Sequence, residues 1–539
     1  MSSIGLTVKR PETPAAISSG LVKAATFLRK LDRADSELSV LKSAIGYKRT
    51  LETIRALFWA SQRGNEVDLA FDLYKELVQH YQKRPTPANN EELAKLRKTL
   101  VSTLELLDTM PETSANPVET IPNRLVYLLN YTLPQVSNGY ATRGQGMALG
   151  MIANGIDLVC VSRPGFPTDI DETLLDDTFP ASNTVDGVEY QHCPFPVYRG
   201  TGSTSTYLRE AVDTIEAKLR ELRPQAIMAA SNHMNALPGL IAARRTGIPF
   251  WYEVRGFWEI TRLSKNPEIE TGFLYQFQRK VECLVARNAQ RVFTLTNPMA
   301  EELVERGVEP HRIELLPNSC DPDRFTPRPR DTELGDRLGI PAGVPVIGYV
   351  GSFAPYEGLE DLTAACATLR QKGIKFRLLL VGGEKASDSS KGPVTEEIER
   401  IAAEEGLGDW LVMTGRIPHE EVEAHYSLID IAPFPRRSQP VTEMVSPLKP
   451  LEALAMEKAV VVSSLRALTE MIEHDTTGLV FEKGNNHAFA DVLERLILDP
   501  DLRLRLGTVG RRWVETERTW VATAGRVERA LTADRPDTV

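Results

Sequence analysis

Cysteine is scarce: Cys160, Cys193, Cys283, Cys320 and Cys366 are the only five among 539 residues. Their odd number and wide spacing, with no C-x-x-C pair and no Cys/His cluster at zinc spacing, argue against a disulfide framework or structural zinc and fit a reducing compartment. No uninterrupted run of about 18 apolar residues occurs, so no membrane-spanning helix is expected. Met1 to Pro14 lacks the apolar core of a secretory signal. The expected location is the cytoplasm, with peripheral contact to a membrane surface left open. Positive charge is not in excess either, with 63 Lys plus Arg against 73 Asp plus Glu and a formal charge of −10. Nucleic acid, which calls for clustered Lys and Arg, is not an expected partner. Nor is disorder expected, because 42% of residues are apolar and 25% charged, the mix of an ordinary globular chain.

What is present divides into three parts. Residues 1–118 read as a helical extension: Leu51, Ile54, Leu57 and Phe58, then Ala70, Leu73, Tyr74, Leu77 and Val78, recur at the spacing of one buried helix face. The turn Arg63-Gly64-Asn65 makes these runs a hairpin, somewhat like a single tetratricopeptide unit. From Arg124 the texture changes to short apolar strand candidates separated by helical stretches: Arg124–Asn130, Asp157–Ser162, Ala226–Ala230, Phe250–Val254 and Arg291–Thr296. A second series runs through Pro345–Val350, Phe376–Val381, Leu411–Thr414, Ile429–Pro433 and Ala459–Ser463, after a Pro- and Asp-rich linker. Such alternation describes two doubly wound α/β domains, divided as 119–318 and 319–539, whose ligand belongs in the cleft between them.

The most informative stretch is Glu443-Met-Val-Ser-Pro-Leu-Lys-Pro-Leu-Glu452, a loop entering a helix. Pro450 suits a first helical turn, whose unpaired N–H groups form a seat for phosphate. Lys449 adds an ammonium able to neutralise a pyrophosphate, and Glu452 a carboxylate able to accept from vicinal hydroxyls. An ordinary solvated helix start is the competing reading.

Pro447-Leu-Lys-Pro-Leu-Glu-Ala-Leu-Ala455, Lys458-Ala-Val-Val-Val and Gly478-Leu-Val-Phe resemble the C-terminal signature of the family 4 glycosyltransferases. Leu316-Pro-Asn-Ser-Cys-Asp321 with Phe325 is similar to the family's P-N-G-x-D…F element, and Tyr349-Val-Gly-Ser-Phe with Glu357-Gly-Leu to its G-x…K-G loop. Ser137-Asn-Gly-Tyr-Ala141 is similar to the glycine loop after its first strand. The resemblance covers residues 122 to 520 and leaves out the helical N-terminus. It implies a GT-B fold of two Rossmann-like domains with an interdomain cleft, the last helix packing back on the first. It also implies a retaining hexosyltransferase that uses a nucleotide-sugar donor without metal or other cofactor. The acceptor would be a glycan or glycoconjugate. A UDP-sugar is the expected donor, although backbone readout of the base leaves no side-chain code separating UDP from GDP or ADP.

Carried over residue by residue, Glu452 would bind the donor ribose and Lys449 the diphosphate, with Ser446, Pro447 and Leu448 lining the donor. The family's first glutamate falls on Met444, so Glu443, one residue earlier, is the expected substitute. Glu357 stands where the resemblance places a lysine, so a cation is expected from Arg436 or Arg437. Gly351, Arg416 and Ile417 complete the donor side, and Gly139 would admit backbone N–H groups to a phosphate. Arg255 takes the place of a catalytic histidine near the anomeric carbon. Glu259, Arg143 and His233 are assigned to the acceptor side, Glu259 also as a holder of Arg255, while for His233 a capping role is favoured. Asp321-Pro-Asp323 and Asp169-Ile-Asp171 match the D-x-D spelling of metal-dependent transferases of another fold, and no metal is assigned to them. Two other readings stay open: a UDP-sugar 2-epimerase of the same architecture, and a non-catalytic scaffold acting through the helical N-terminus.

Overall fold

The computed structural model describes residues 13–114, 116–171, 174, 180–193, 204–264, 267–384 and 391–534. Most of the N-terminal stretch read for a signal lies outside them. The helical extension contains helices Pro14–Lys30 and Ala34–Tyr47, Leu51–Arg63 and Val67–Lys83, and Pro87–Arg97 followed by Leu104–Asp108. The hairpin expected from the sequence is therefore the middle of a three-layer stack. Phe58, Leu73, Tyr74 and Leu77 fill its core. Val67, Leu104 and Leu106 join the core of the next domain instead, and Glu105 accepts from Tyr74 on one side and Arg209 on the other.

The next domain holds β1 (Ile121–Leu129), β2 (Asp157–Ser162), β3 (Ser182–Val185), β4 (Val188–Gln191), β5 (Pro224–Ala230), β6 (Phe250–Val254), β7 (Arg291–Thr294) and β8 (Ile313–Leu315). They form one sheet in the order β3-β4-β2-β1-β5-β6-β7-β8, parallel except where β3 meets β4. The central strands are buried on both faces, which is why they read as unbroken apolar runs. The β3–β4 hairpin is absent from the sequence reading, yet Asp186-Gly187 carries it: both residues take positive φ, as a two-residue hairpin turn requires.

The last domain holds β9 (Val346–Val350), β10 (Arg377–Val381), β11 (Leu411–Gly415), β12 (Ile431–Phe434), β13 (Ala459–Ser463) and β14 (Leu479–Phe481), ordered β11-β10-β9-β12-β13-β14 and all parallel. Strand order reverses between β9 and β12, so the crevice beyond their carboxyl ends is the natural ligand seat. The carboxyl ends of the two sheets meet: Thr296, after β7, donates to the Met444 carbonyl (2.5 Å), and Asn318 Nδ2 donates to that of Ser446 (2.6 Å).

The chain passes between the α/β domains twice, and the passages touch. The Cys320 N–H donates to the Arg518 carbonyl (2.8 Å), and Ser319 and Thr523 share a hydroxyl bond (2.6 Å). The final helix, Trp520–Ala533, lies against helix Gly139–Ala153 of the first α/β domain. Its seat is made by glycine: a Cβ on Gly146 would lie 2.3 Å from the Trp520 ring, and one on Gly150 2.3 Å from the Trp520 carbonyl.

Candidate active site

At the switch point of the last domain, Gly351 follows β9 and Arg436 follows β12. Lys449, the first residue of helix Lys449–Ala455, reaches back over the end of β9. Its ammonium donates to the Tyr349 hydroxyl (2.7 Å) and pairs with Glu357 (3.2 Å). Gly351 has φ of 149°, and a Cβ there would lie 2.2 Å from Lys449 Cε. Only glycine leaves the lysine its path. The helix is barely two turns long, so the cation of Lys449 rather than a helix dipole supplies the positive potential here.

Of the two arginines expected to add charge, Arg436 faces this spot and Arg437 does not. Arg436 is buried, donates to the Val445 carbonyl (3.0 Å) and lies 3.6 Å from Glu357. Arg437 turns outward into Asp361 (2.7 Å) and Glu360 (3.2 Å), so its guanidinium braces the loop after β9. Burial would raise the Glu357 carboxyl, but Arg436 and Lys449 override this and hold it below the usual range.

Glu443 is not placed as the sequence suggests. It lies in the short helix Pro440–Met444, accepts from Ser438 (2.6 Å) and the Arg466 N–H (3.1 Å), and pairs with Lys483. Those partners engage its carboxylate, and neither Lys449 nor Glu452 is among them. Met444 packs against apolar core instead.

The Glu452 carboxylate makes no hydrogen bond or ion pair with the described residues, and burial pushes its pKa up. It lines a cavity of about 230 Å³ with Leu448, Asp321 and Arg324 on one wall and Ser137 and Thr142 on the other. Ser446 is buried behind the lysine-bearing loop, with Pro447 and Leu448 half-buried. Arg416 is exposed after β11 beside Gly383, and Ile417 packs on the domain core. Gly139 opens a helix capped by Asn138, and open space lies where its side chain would be. Asp321 caps its own turn by accepting from the N–H groups of Asp323 and Arg324, and Asp169 pairs with Arg163.

The first α/β domain corrects the remaining assignments. Arg255 does not project freely into the cleft: it is buried, donates to Glu253 (3.0 Å), Tyr127 and the Tyr140 carbonyl (2.9 Å), and stacks on Tyr140. Arg143 is likewise no acceptor group. It binds Glu253 (2.9 Å) on one side and the Leu316 carbonyl (2.7 Å) and Asn318 (3.0 Å) on the other. Through Asn318 it reaches Ser446, so a continuous polar chain joins β6 to the lysine-bearing loop. Burial would raise Glu253, but Arg255 and Arg143 override it and hold the carboxyl at about 2. Glu259 holds Arg306 (2.6 Å) rather than Arg255. His233 binds Glu282 (2.8 Å), which also accepts from Tyr252 (2.5 Å), so the ring is a buried cap. Sequence reasoning passed over Glu253, Tyr127 and Tyr349. An acid within a strand otherwise made of Phe, Trp, Tyr and Val was the one available signal, because a buried charge demands a partner.

Two facing doubly wound domains with a cation-bearing loop between them define the GT-B architecture. The family described as Glycosyl transferases group 1 matches residues 331–513, and the Glycosyl transferase 4-like domain matches residues 138–319. The chain belongs to the family 4 glycosyltransferases, and it is a transferase enzyme. A 2-deoxystreptamine glucosyltransferase of Streptomyces kanamyceticus is 29% identical over 286 residues, 52% of this chain and 70% of that protein. A GDP-mannose-dependent alpha-(1-6)-phosphatidylinositol monomannoside mannosyltransferase of Mycobacterium tuberculosis is 28% identical over 225 residues, 41% of this chain but only 56% of its own length. Among solved structures, a sucrose-phosphate synthase from Thermosynechococcus elongatus superposes with a TM-score of 0.59 at 22% identity, covering 76% of this chain and all of that one. Among the described residues no helix is long and apolar enough to cross a membrane.

Proposed function

We propose that the protein transfers a sugar, with retention and without a metal, from a nucleoside-diphosphate sugar to a glycan, lipid-linked or other glycoconjugate acceptor in the cytoplasm. The observation that carries this reading is Lys449 laid across the bare backbone of Gly351 at the switch point, with the unpaired Glu452 three residues on. Glu452 accepts from the donor ribose in the cavity it lines. Lys449 and Arg436 neutralise the diphosphate as the bond from the anomeric carbon to the phosphate oxygen breaks and its electron pair moves onto that oxygen. Of the candidate bases in the first α/β domain, His233 and Glu259 are both spent in buried pairs. The departing phosphate oxygen therefore takes the acceptor's proton as the new carbon–oxygen bond forms. The named relatives are transferases, which favours this reading over an epimerase.

A screen of UDP-, GDP- and ADP-sugars by thermal shift, followed by turnover with chelator present, tests it. The expected result is stabilisation by one nucleotide class, an α-configured product from an α-configured donor, and a rate on the order of one hundredfold lower for Lys449→Ala. A rate abolished by chelator and restored by magnesium would reject the metal-free mechanism.

A further inference from the structure

Glu357 has no role in the transfer just described, yet it lies against both cations. Its buried Oε1 is 3.2 Å from Lys449 Nζ and 3.6 Å from Arg436 Nε. Its other oxygen, and Arg436 Nε, are buried with no hydrogen-bond partner. Two cations sharing a poorly solvated site repel one another, and a carboxylate between them offsets that cost. The same carboxylate must repel any second anion that comes to the same ammonium. We propose that Glu357 is an internal counter-anion, which holds Lys449 and Arg436 in place before the donor binds and competes with the diphosphate for both, so that the nucleoside-diphosphate product leaves readily. This inference rests on the diphosphate seat at Lys449.

The geometry explains why one residue does both jobs. Lys449 contributes to the seat only while its stem stays over Gly351, and the Tyr349 hydroxyl and Glu357 are what its ammonium binds there. Removing the charge of Glu357 while keeping its shape leaves Tyr349 to hold the lysine and raises the net charge of the seat by one. Anion affinity rises, and turnover falls because the product is retained. A glutamate with a merely structural role would weaken binding and turnover together.

The full-length protein, Glu357→Gln, Glu357→Asp and Lys449→Ala are titrated calorimetrically with inorganic pyrophosphate at fixed ionic strength. Turnover is followed with whichever nucleotide sugar the wild type accepts. Glu357→Gln is expected to bind pyrophosphate on the order of tenfold tighter, with lower kcat and lower KM. Glu357→Asp, whose carboxylate is withdrawn by one methylene, falls between it and the wild type, and it decides the matter alone if Glu357→Gln does not fold. Binding equal to or weaker than wild type in these variants overturns the counter-anion role, while a loss in Lys449→Ala leaves the seat standing. Unchanged binding in Lys449→Ala, or no pyrophosphate binding by any of the four, overturns the seat and this inference with it.

Discussion

The ε-carbon of Lys449 occupies the space that any side chain on residue 351 would need, for a Cβ at Gly351 would come within 2.2 Å of it. Residue 351 therefore controls a cation 98 positions away in sequence.

Replacing Gly351 by Ala should act as a remote loss of the lysine. The methyl group expels the Lys449 stem, and the positive φ adds backbone strain of about 1 kcal/mol. Transfer is expected to fall on the order of one hundredfold, as for Lys449→Ala, with only a small drop in the urea midpoint. Initial rates of the two single variants and the double variant check this, because non-additive losses are expected when both act on one group.

The neighbouring arginines should separate cleanly. Arg436→Ala removes a buried cation beside Glu357 and lowers kcat/KM at least tenfold. Arg437→Ala removes a partly exposed brace to Asp361 and costs about 1 kcal/mol of stability with little change in kcat. Steady-state kinetics beside chemical denaturation distinguishes them.

Glu452 should trade stability for binding. Its folded-state carboxyl titrates above the usual range because burial disfavours the charge, with Lys449 only partly offsetting this. Such a group favours the folded state at low pH, and that advantage is lost as pH rises through the raised pKa. Glu452→Gln is thus expected to be more stable than wild type by about 1 kcal/mol at pH 7 to 8, with the gap closing towards pH 4. Donor KM should rise. Denaturation curves at the two pH values, with donor titration, provide the measurement.

Much of the fold was legible because parallel strands buried on both faces write themselves as apolar runs, as Phe250–Val254 and Ala459–Ser463 show. Lys449 and Glu452 stood out for another reason: the residues alone fit an ordinary solvated helix start equally well, and it was the resemblance of the surrounding motif that singled them out. The partners of Arg255 and Arg143 were not legible, since Glu253 meets Arg143 across 110 positions and only the pairing of β1, β5 and β6 brings them together. The partners of Glu443 were not legible either. Its carboxylate found Lys483 and the Arg466 N–H, both well downstream.

The buried network around Glu253 should be costly to interrupt. Arg143→Met leaves Glu253 with one cation in place of two and is expected to destabilise the protein by about 3–5 kcal/mol. The wild type should lose stability as pH falls from the ordinary carboxylate range towards 2, because Glu253 is held at about 2 when folded and must take up a proton on unfolding. That acid limb should be shallower in Arg143→Met. Urea titrations across pH 3 to 7 would show it, and an unchanged slope would refute the coupling.

The two passages of chain between the α/β domains run side by side, from Ser319 and Cys320 to Arg518 and Thr523. Two covalent straps on a single flank leave the pair of domains one easy motion, a swing like that of a book about its spine. Groups near the spine, such as Cys320, travel little in such a swing, while those at the opposite lip travel furthest. A bound molecule that grips both covers far from the binding therefore gains the most leverage over how far the protein stands open.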